Sequence, residues 1–200
     1  TIFTNNCSFQ FAAGAIAFSM LGNFRLVKYI AVPHIAGAVL LSFLIQGQTD
    51  VNSSKPLRLK PVPFHKAFSM AIYKSVTGIL SVGGVIVIFS VFSCLLNDSL
   101  SSAARAITMS SGVKDIIYSL LAGSLEITNG CSIISKSEFV PLETKLVIIN
   151  FLMSFSGMSV MFQTVSVTDG FNLDIKNYIF YKFIHGIISS LLCIAMLLFI

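Results

Sequence analysis

Long uncharged, apolar runs alternate with short polar segments along this chain, and the runs predict membrane-spanning helices. About 20 apolar residues cross about 30 Å of hydrocarbon as an α-helix. Uncharged runs at residues 29–49, 75–97, 146–168 and 183–200 therefore predict full spans at residues 29–46, 75–96, 146–168 and 178–200. A fifth run, residues 9–22, is too short to cross and follows a polar start. Such a piece is typical of a re-entrant segment or half-helix, or of a span whose first half is missing.

Two apolar segments carry polar, glycine-containing interruptions. Glu126 has ten uncharged residues before it and nine after it, and residues 154–163 form a polar stretch in the middle of the third span. We expect the helix that leads into Glu126 to break or turn at Gly130 and through residues 131–136. Paired interruptions are typical of discontinuous helices in secondary transporters, where unwound turns expose backbone groups to a solute. The candidate binding residues in the two interruptions are Glu126, Thr128, Asn129, Gly130, Ser156, Gly157, Ser159 and Gln163.

The polar start of the chain supplies a third group of candidate binding residues, Asn5, Asn6 and Ser8. Residues 4–8 match residues 128–132 at four of five positions. An internal repeat, a feature that many transporters have, is one interpretation of this five-residue match.

A basic, proline-containing linker divides the chain. Residues 48–66 contain three prolines and four Lys or Arg residues against one acidic residue. By the positive-inside rule this loop faces the cytoplasm. The alternative is a patch that binds anionic lipid or a partner protein. The predicted organisation is a re-entrant segment plus one span at 1–47, the loop at 48–66, and a transmembrane domain with two interrupted helices at 67–200.

Composition decides the class of protein. Hydrophobic residues make up 55% of the chain, charged residues 10%, and the mean hydropathy is +0.88, whereas ordinary soluble domains have about 25% charged residues. We therefore predict an all-α integral membrane protein with about five to six membrane segments. The lipid bilayer, a small solute and a coupling ion are its expected partners. A homo-oligomer or a missing N-terminal half is a further expectation.

The same residues argue against other classes of function. The chain has no Walker or dinucleotide glycine pattern, no Ser/His/Asp arrangement in one polar site, and no metal-ligand spacing. Its basic residues are not interleaved with aromatics as nucleic-acid binding would need. We expect no enzyme activity, no cofactor, no metal and no nucleic-acid partner.

Residues 123–130 (GSLEITNG) and 155–163 (FSGMSVMFQ) resemble the nucleoside-recognition (Gate) family, and within it the YlbJ-type sporulation membrane proteins. His34 and His185 also fall where such proteins have histidines, and an intramembrane histidine is either a packed residue or a proton relay. The resemblance covers essentially the whole chain, but only the C-terminal half to two-thirds of a typical family member. Met161 departs from the family, which usually has histidine at that position.

This resemblance implies part of a concentrative nucleoside transporter fold and a secondary transporter or permease for a small anionic, dipicolinate-like solute in sporulation. The membrane would be the bacterial cell membrane or the outer forespore membrane. It implies one binding loop around Glu126, a facing half-helix that begins near Ser156, and a hairpin tip near Asn5. Glu126 would couple to a cation or proton, or bond to a neighbouring backbone. The alternatives are a nucleoside-type permease, a structural membrane protein whose polar motifs hold helices together, and a truncated inactive paralogue.

Overall fold

The computed structural model of the protein describes residues 5–45, 62–104, 109–167 and 174–199, and their regular structure is helical throughout. The elements are a π-helix at Phe11–Met20, a 3-10 turn at Phe24–Leu26, and seven α-helices: α1 (Val27–Ile45), α2 (Phe64–Ala104), α3 (Ser111–Leu125), α4 (Ile127–Lys136), α5 (Leu142–Phe155), α6 (Gly157–Val167) and α7 (Ile175–Leu198).

Four helical stretches of the described chain are long and apolar enough to cross a membrane. They are Phe24–Ile45, Phe64–Leu96, Leu142–Ser166 and Ile175–Leu198. They confirm the four predicted spans and the predicted all-α integral membrane class. Residues 46–61, most of the predicted basic loop, lie outside the described residues, so the cytoplasmic position of that loop stays a prediction.

Helices α3 and α4 form a tight antiparallel hairpin. The Ser119 hydroxyl donates to the Gly130 carbonyl at 3.0 Å, and the Ser137 hydroxyl donates to the Asp115 carboxylate. The second pair lies farther from Glu126 along the chain than the first, on both sides of it. Helix α4 therefore runs back along α3. Arms of 15 and 10 residues reach about 22 and 15 Å at 1.5 Å per residue, which leaves the tip inside a hydrocarbon layer of about 30 Å.

The predicted break at Gly130 and through residues 131–136 is wrong, because the chain turns at Glu126 and then continues as helix α4 to Lys136. Gly130 has a packing role instead. A Cβ added there would lie 2.4 Å from the Gly123 Cα, so only a glycine lets the two backbones come this close.

Helices α5 and α6 together make one interrupted span. Ser156 and Gly157 have φ angles of 75° and 64°, which end α5 and start α6 on a new axis. For Ser156 this left-handed conformation is uncommon, because its Cβ crowds the backbone there. The interruption lies within the polar stretch at residues 154–163.

Helix α5 is the centre of the fold, and α2 is at its edge. The buried core joins the π-helix, α1, α4 and α5 through side chains such as Ile16, Ile30, Ile134 and Ile149, all fully buried. Only 11% of the residues in the most apolar stretch of α2 are buried within this chain, against 61% in the corresponding stretch of the span formed by α5 and α6.

A proline in α1 is matched by an asparagine in α5. Pro33 has no N–H, so the Tyr29 carbonyl loses its helical donor. The Asn150 side-chain amide replaces that donor at 2.9 Å from the Tyr29 oxygen. Because this bond forms in an apolar interior, it fixes α1 against α5 at one register.

Candidate functional site

Glu126 is the one residue that separates α3 from α4, and its side chain caps the second helix. Its backbone is extended, with φ −143° and ψ 120°, and its N–H donates to the Ala122 carbonyl at 2.8 Å. Its carboxylate accepts the Asn129 backbone N–H at 3.0 Å and the Thr128 hydroxyl at 3.1 Å. The residue is only 4% exposed. The positive end of α4 and these donors compensate a carboxylate that would otherwise be costly in this interior.

The two predicted interruptions meet in space. A Cβ on Gly157 would lie 2.8 Å from the Gly123 carbonyl oxygen and 3.5 Å from those of Ser124 and Leu125. The last carbonyls of α3 therefore face the first turn of α6, and the beginning of α4 is one residue away. Carbonyls at a helix end carry partial negative charge, and N–H groups at a helix start carry partial positive charge. The junction thus brings together helix ends of both partial charges.

A polar cavity of about 240 Å³ lies between α2 and the second arm of the hairpin. Its lining residues are Ser90, Ser93, Cys94, Asn129, Ser132 and Ile133. Only Asn129 was among the predicted site residues. The α2 members are spaced at i, i+3 and i+4, which places them on one helix face. That spacing was the signal in the sequence that could have found them.

The other predicted residues of α6 and α4 lie close to this junction. Ser156 and Ser159 are buried, and the Gln163 amide donates to the Ser159 hydroxyl at 3.2 Å. Thr128 is exposed within this chain. Gly130 is in the contact between the hairpin arms described above.

The polar start of the chain packs against α6 and α7. The Asn5 amide donates to the Thr164 hydroxyl at 2.6 Å and to the Tyr178 hydroxyl at 2.7 Å. The Cys7 thiol donates to the Met153 carbonyl at 3.5 Å, just before the interruption of the α5–α6 span. Asn6 is half-buried, and Ser8 is exposed and accepts the Phe11 N–H at 3.1 Å.

Lys182 is a site residue that sequence reasoning missed. It lies in the second turn of α7, is 0% exposed, and its ammonium donates to the Asn5 carbonyl. The signal was a lysine inside the predicted span at residues 178–200.

A second polar network joins α1, α5 and α7. Ser154 gives its only hydroxyl proton to Ser189 at 2.8 Å, so it accepts from His34 Nδ1 at 2.7 Å. His185 Nε2 donates to the His34 carbonyl at 3.0 Å, because a carbonyl can only accept. The two rings stack with their centroids 5.2 Å apart. His34 is thus a packed, hydrogen-bonded histidine, and whether it also relays protons stays open.

Among the described residues, no three His, Cys, Asp or Glu side chains come together as a metal site would need. The polar groups at the junction are hydroxyls, amides and backbone groups, with one carboxylate and one ammonium nearby. Such a set suits reversible binding of a small polar molecule.

Comparison with known proteins gives a relative of matching type. The chain is 26% identical to the sporulation integral membrane protein YlbJ of Bacillus subtilis (strain 168) over an alignment of 215 positions, which covers 94% of this chain and 52% of YlbJ. It therefore spans about half the length of that relative. No family model matches, so membership of the Gate family stays a prediction, and no solved structure matches. The similarity to YlbJ and the four helices long enough to cross a bilayer identify this chain as an integral membrane protein that resembles the YlbJ type.

Proposed function

We propose that this chain forms the solute-binding part of a secondary transporter or permease for a small polar solute. The observation that carries the proposal is the meeting of the hairpin tip at Glu126 with the interruption of the α5–α6 span at Gly157. Irregular backbone at membrane depth is tolerated only where it is buried in protein or lines a cavity. Here two such interruptions share one place beside a polar cavity, which a plain bundle of packed helices does not need.

The polar groups that line the cavity can replace the hydrogen bonds to water that a solute loses on entering the membrane. Hydroxyls of Ser90, Ser93 and Ser132 and the amide of Asn129 provide both donors and acceptors. Because Asn129 also gives its backbone N–H to Glu126, a change at the hairpin tip reaches the cavity wall directly. Glu126 serves here to organise the tip, since a carboxylate repels an anionic solute.

The class of solute and the biological setting come from the resemblance. YlbJ is a sporulation integral membrane protein, and we assign this chain to the same process. An anionic, dipicolinate-like solute is the first choice, and a nucleoside is the second.

Transport by reconstituted protein tests this function. Purified chain in liposomes would be given labelled dipicolinate or uridine in parallel, and uptake would be compared with that of protein-free liposomes. Asn129→Ala and Ser93→Ala should each reduce uptake by about tenfold, because each removes a polar group that a desolvated solute needs. Ser166→Ala is the matched control, since that serine is exposed and bonds only to its own helix. Wild-type uptake in both cavity variants would contradict the proposal.

A second candidate function, a structural membrane protein, is favoured by the local bonding of the motif residues. Glu126 bonds within its own turn, and Gln163 bonds to Ser159 in the same helix. On this alternative the motifs only hold the helices together. Glu126→Ala would then lower the free energy of unfolding, and no solute would be taken up by the wild type.

A further inference from the structure

Lys182 places a full positive charge in the interior of the helix bundle. It is 0% exposed, and Tyr178, one helical turn earlier on the same face of α7, is 1% exposed. A charge in this position is costly unless it is paired, and intramembrane charged residues are typical of solute and ion pathways.

No carboxylate of the described residues compensates this charge. Among the described residues, the one acceptor that Lys182 bonds is the Asn5 carbonyl. A carbonyl takes one of the three ammonium protons and carries no charge of its own. The Glu126 carboxylate instead accepts hydrogen bonds from the first turn of α4.

The neighbours of Lys182 are arranged as donors. Asn5 gives both protons of its side-chain amide, one to Thr164 and one to Tyr178. Because the Tyr178 hydroxyl accepts that bond, its own proton is directed elsewhere and can be donated. An ammonium and a phenol one turn apart, both bonded to Asn5, therefore offer hydrogen-bond donors and positive charge in one place.

We propose that Lys182 and Tyr178, positioned by Asn5, form a carboxylate-binding site. One carboxylate would pair with the ammonium and accept the Tyr178 hydroxyl proton, so that its single negative charge balances the single positive charge. Each carboxylate brings one negative charge, whereas a phosphate dianion concentrates two charges on one group and costs more to bury beside a single ammonium. The inference rests on the proposed function for the passage of the solute, since this site would hold the acidic group of the molecule that is transported.

Ligand-dependent thermal stability tests the site without any transport. The unfolding temperature of the purified chain in detergent can be followed by the loss of its helical circular dichroism. Pyridine-2,6-dicarboxylate is the probe, pyridine-2,6-dimethanol is its neutral analogue, and inorganic phosphate is the competing anion. A ligand that binds only the folded protein raises the unfolding temperature as its concentration exceeds its Kd.

We expect the dicarboxylate to stabilise the wild type, with the diol and phosphate having little effect. Lys182→Gln should weaken the apparent Kd by about 10- to 100-fold, because it removes a hydrogen bond to a charged group. Lys182→Arg keeps the charge and should retain most of the binding. Lys176→Gln is the matched control, since Lys176 is exposed in the first turn of the same helix.

Equal stabilisation by the diol or by phosphate, or an unchanged Kd in Lys182→Gln, would overturn the site. If Lys182→Gln does not fold, the wild type still tests the site, because the dicarboxylate should raise its unfolding temperature and the diol should not. Uptake without Lys182-dependent binding would overturn this site and leave the proposed function standing. Lys182-dependent binding without uptake by liposomes would support this site and contradict the proposed transport function.

Discussion

The contact between the hairpin arms can be tested by a single methyl group at Gly130. The added Cβ of Gly130→Ala would lie 2.4 Å from the Gly123 Cα, 2.6 Å from the Ser119 carbonyl oxygen and 2.7 Å from the Gly123 nitrogen. All three atoms belong to the backbone, so no side chain can rotate away. Ordinary contact begins at 3.4 Å, so α3 and α4 must separate by about 1 Å, a degree of overpacking that we place in the range seen for inserted methylenes.

The expected change in the free energy of unfolding has the opposite sign to the change that helix propensity alone predicts. Alanine in place of glycine in a helix interior normally stabilises by up to about 1 kcal/mol. Overpacking costs about 1–3 kcal/mol, and separation of the arms also strains the Ser119 to Gly130 hydrogen bond, which is worth about 1 kcal/mol. We therefore expect Gly130→Ala to lower the free energy of unfolding by about 1–3 kcal/mol.

Denaturant or thermal unfolding in detergent measures this change against a matched substitution. Gly84 also lies in an apolar helix, but an added Cβ there meets nothing within 4 Å in this chain. Gly84→Ala should be neutral or slightly stabilising. A Gly130→Ala protein as stable as Gly84→Ala would refute the close approach of α4 to α3, and with it the hairpin geometry.

Two other substitutions separate the roles of buried polar groups. Asn150→Ala leaves the Tyr29 carbonyl without its donor and should destabilise the protein by about 1–3 kcal/mol, whereas Asn177→Ala, at an exposed position, should change the unfolding temperature little. Glu126→Ala removes the cap of α4 and should cost about 0.5–2 kcal/mol, while Glu126→Gln keeps an oxygen for the Asn129 N–H and should lose less. Equal losses in both Glu126 variants would mean that the charge, and not the cap, matters.

Much of the fold followed from the sequence because uncharged length is a strong signal. The four spans needed only counts of apolar residues. The hairpin turn was misplaced because Gly130 was interpreted as a helix breaker, although in a membrane helix a glycine more often permits close packing. The better local signal was Glu126 itself. It lies two residues before Thr128, the first polar residue of α4, and its side chain can cap that helix.

The candidate site was only partly predictable, since its members come from distant parts of the chain. The polar stretches around Glu126 and Ser156 stood out against apolar neighbours, but nothing in one sequence shows that their breaks touch. His34 and His185, 151 residues apart, meet only through packing of α1 on α7. Ser93 was missed because a serine costs little within an apolar helix and gives little contrast there.

The two buried charges are compensated in different ways, and this difference bears on the proposed function. Glu126 receives a backbone N–H, a hydroxyl and the positive end of α4, so its charge is largely balanced within its own turn. Among the described residues, Lys182 donates to a single uncharged carbonyl, that of Asn5. On the proposed function, an anionic group that enters this interior would gain more from Lys182 than it loses to Glu126. The carboxylate first noticed in the sequence organises the hairpin, and we propose that the lysine provides the charge that an acidic solute would need.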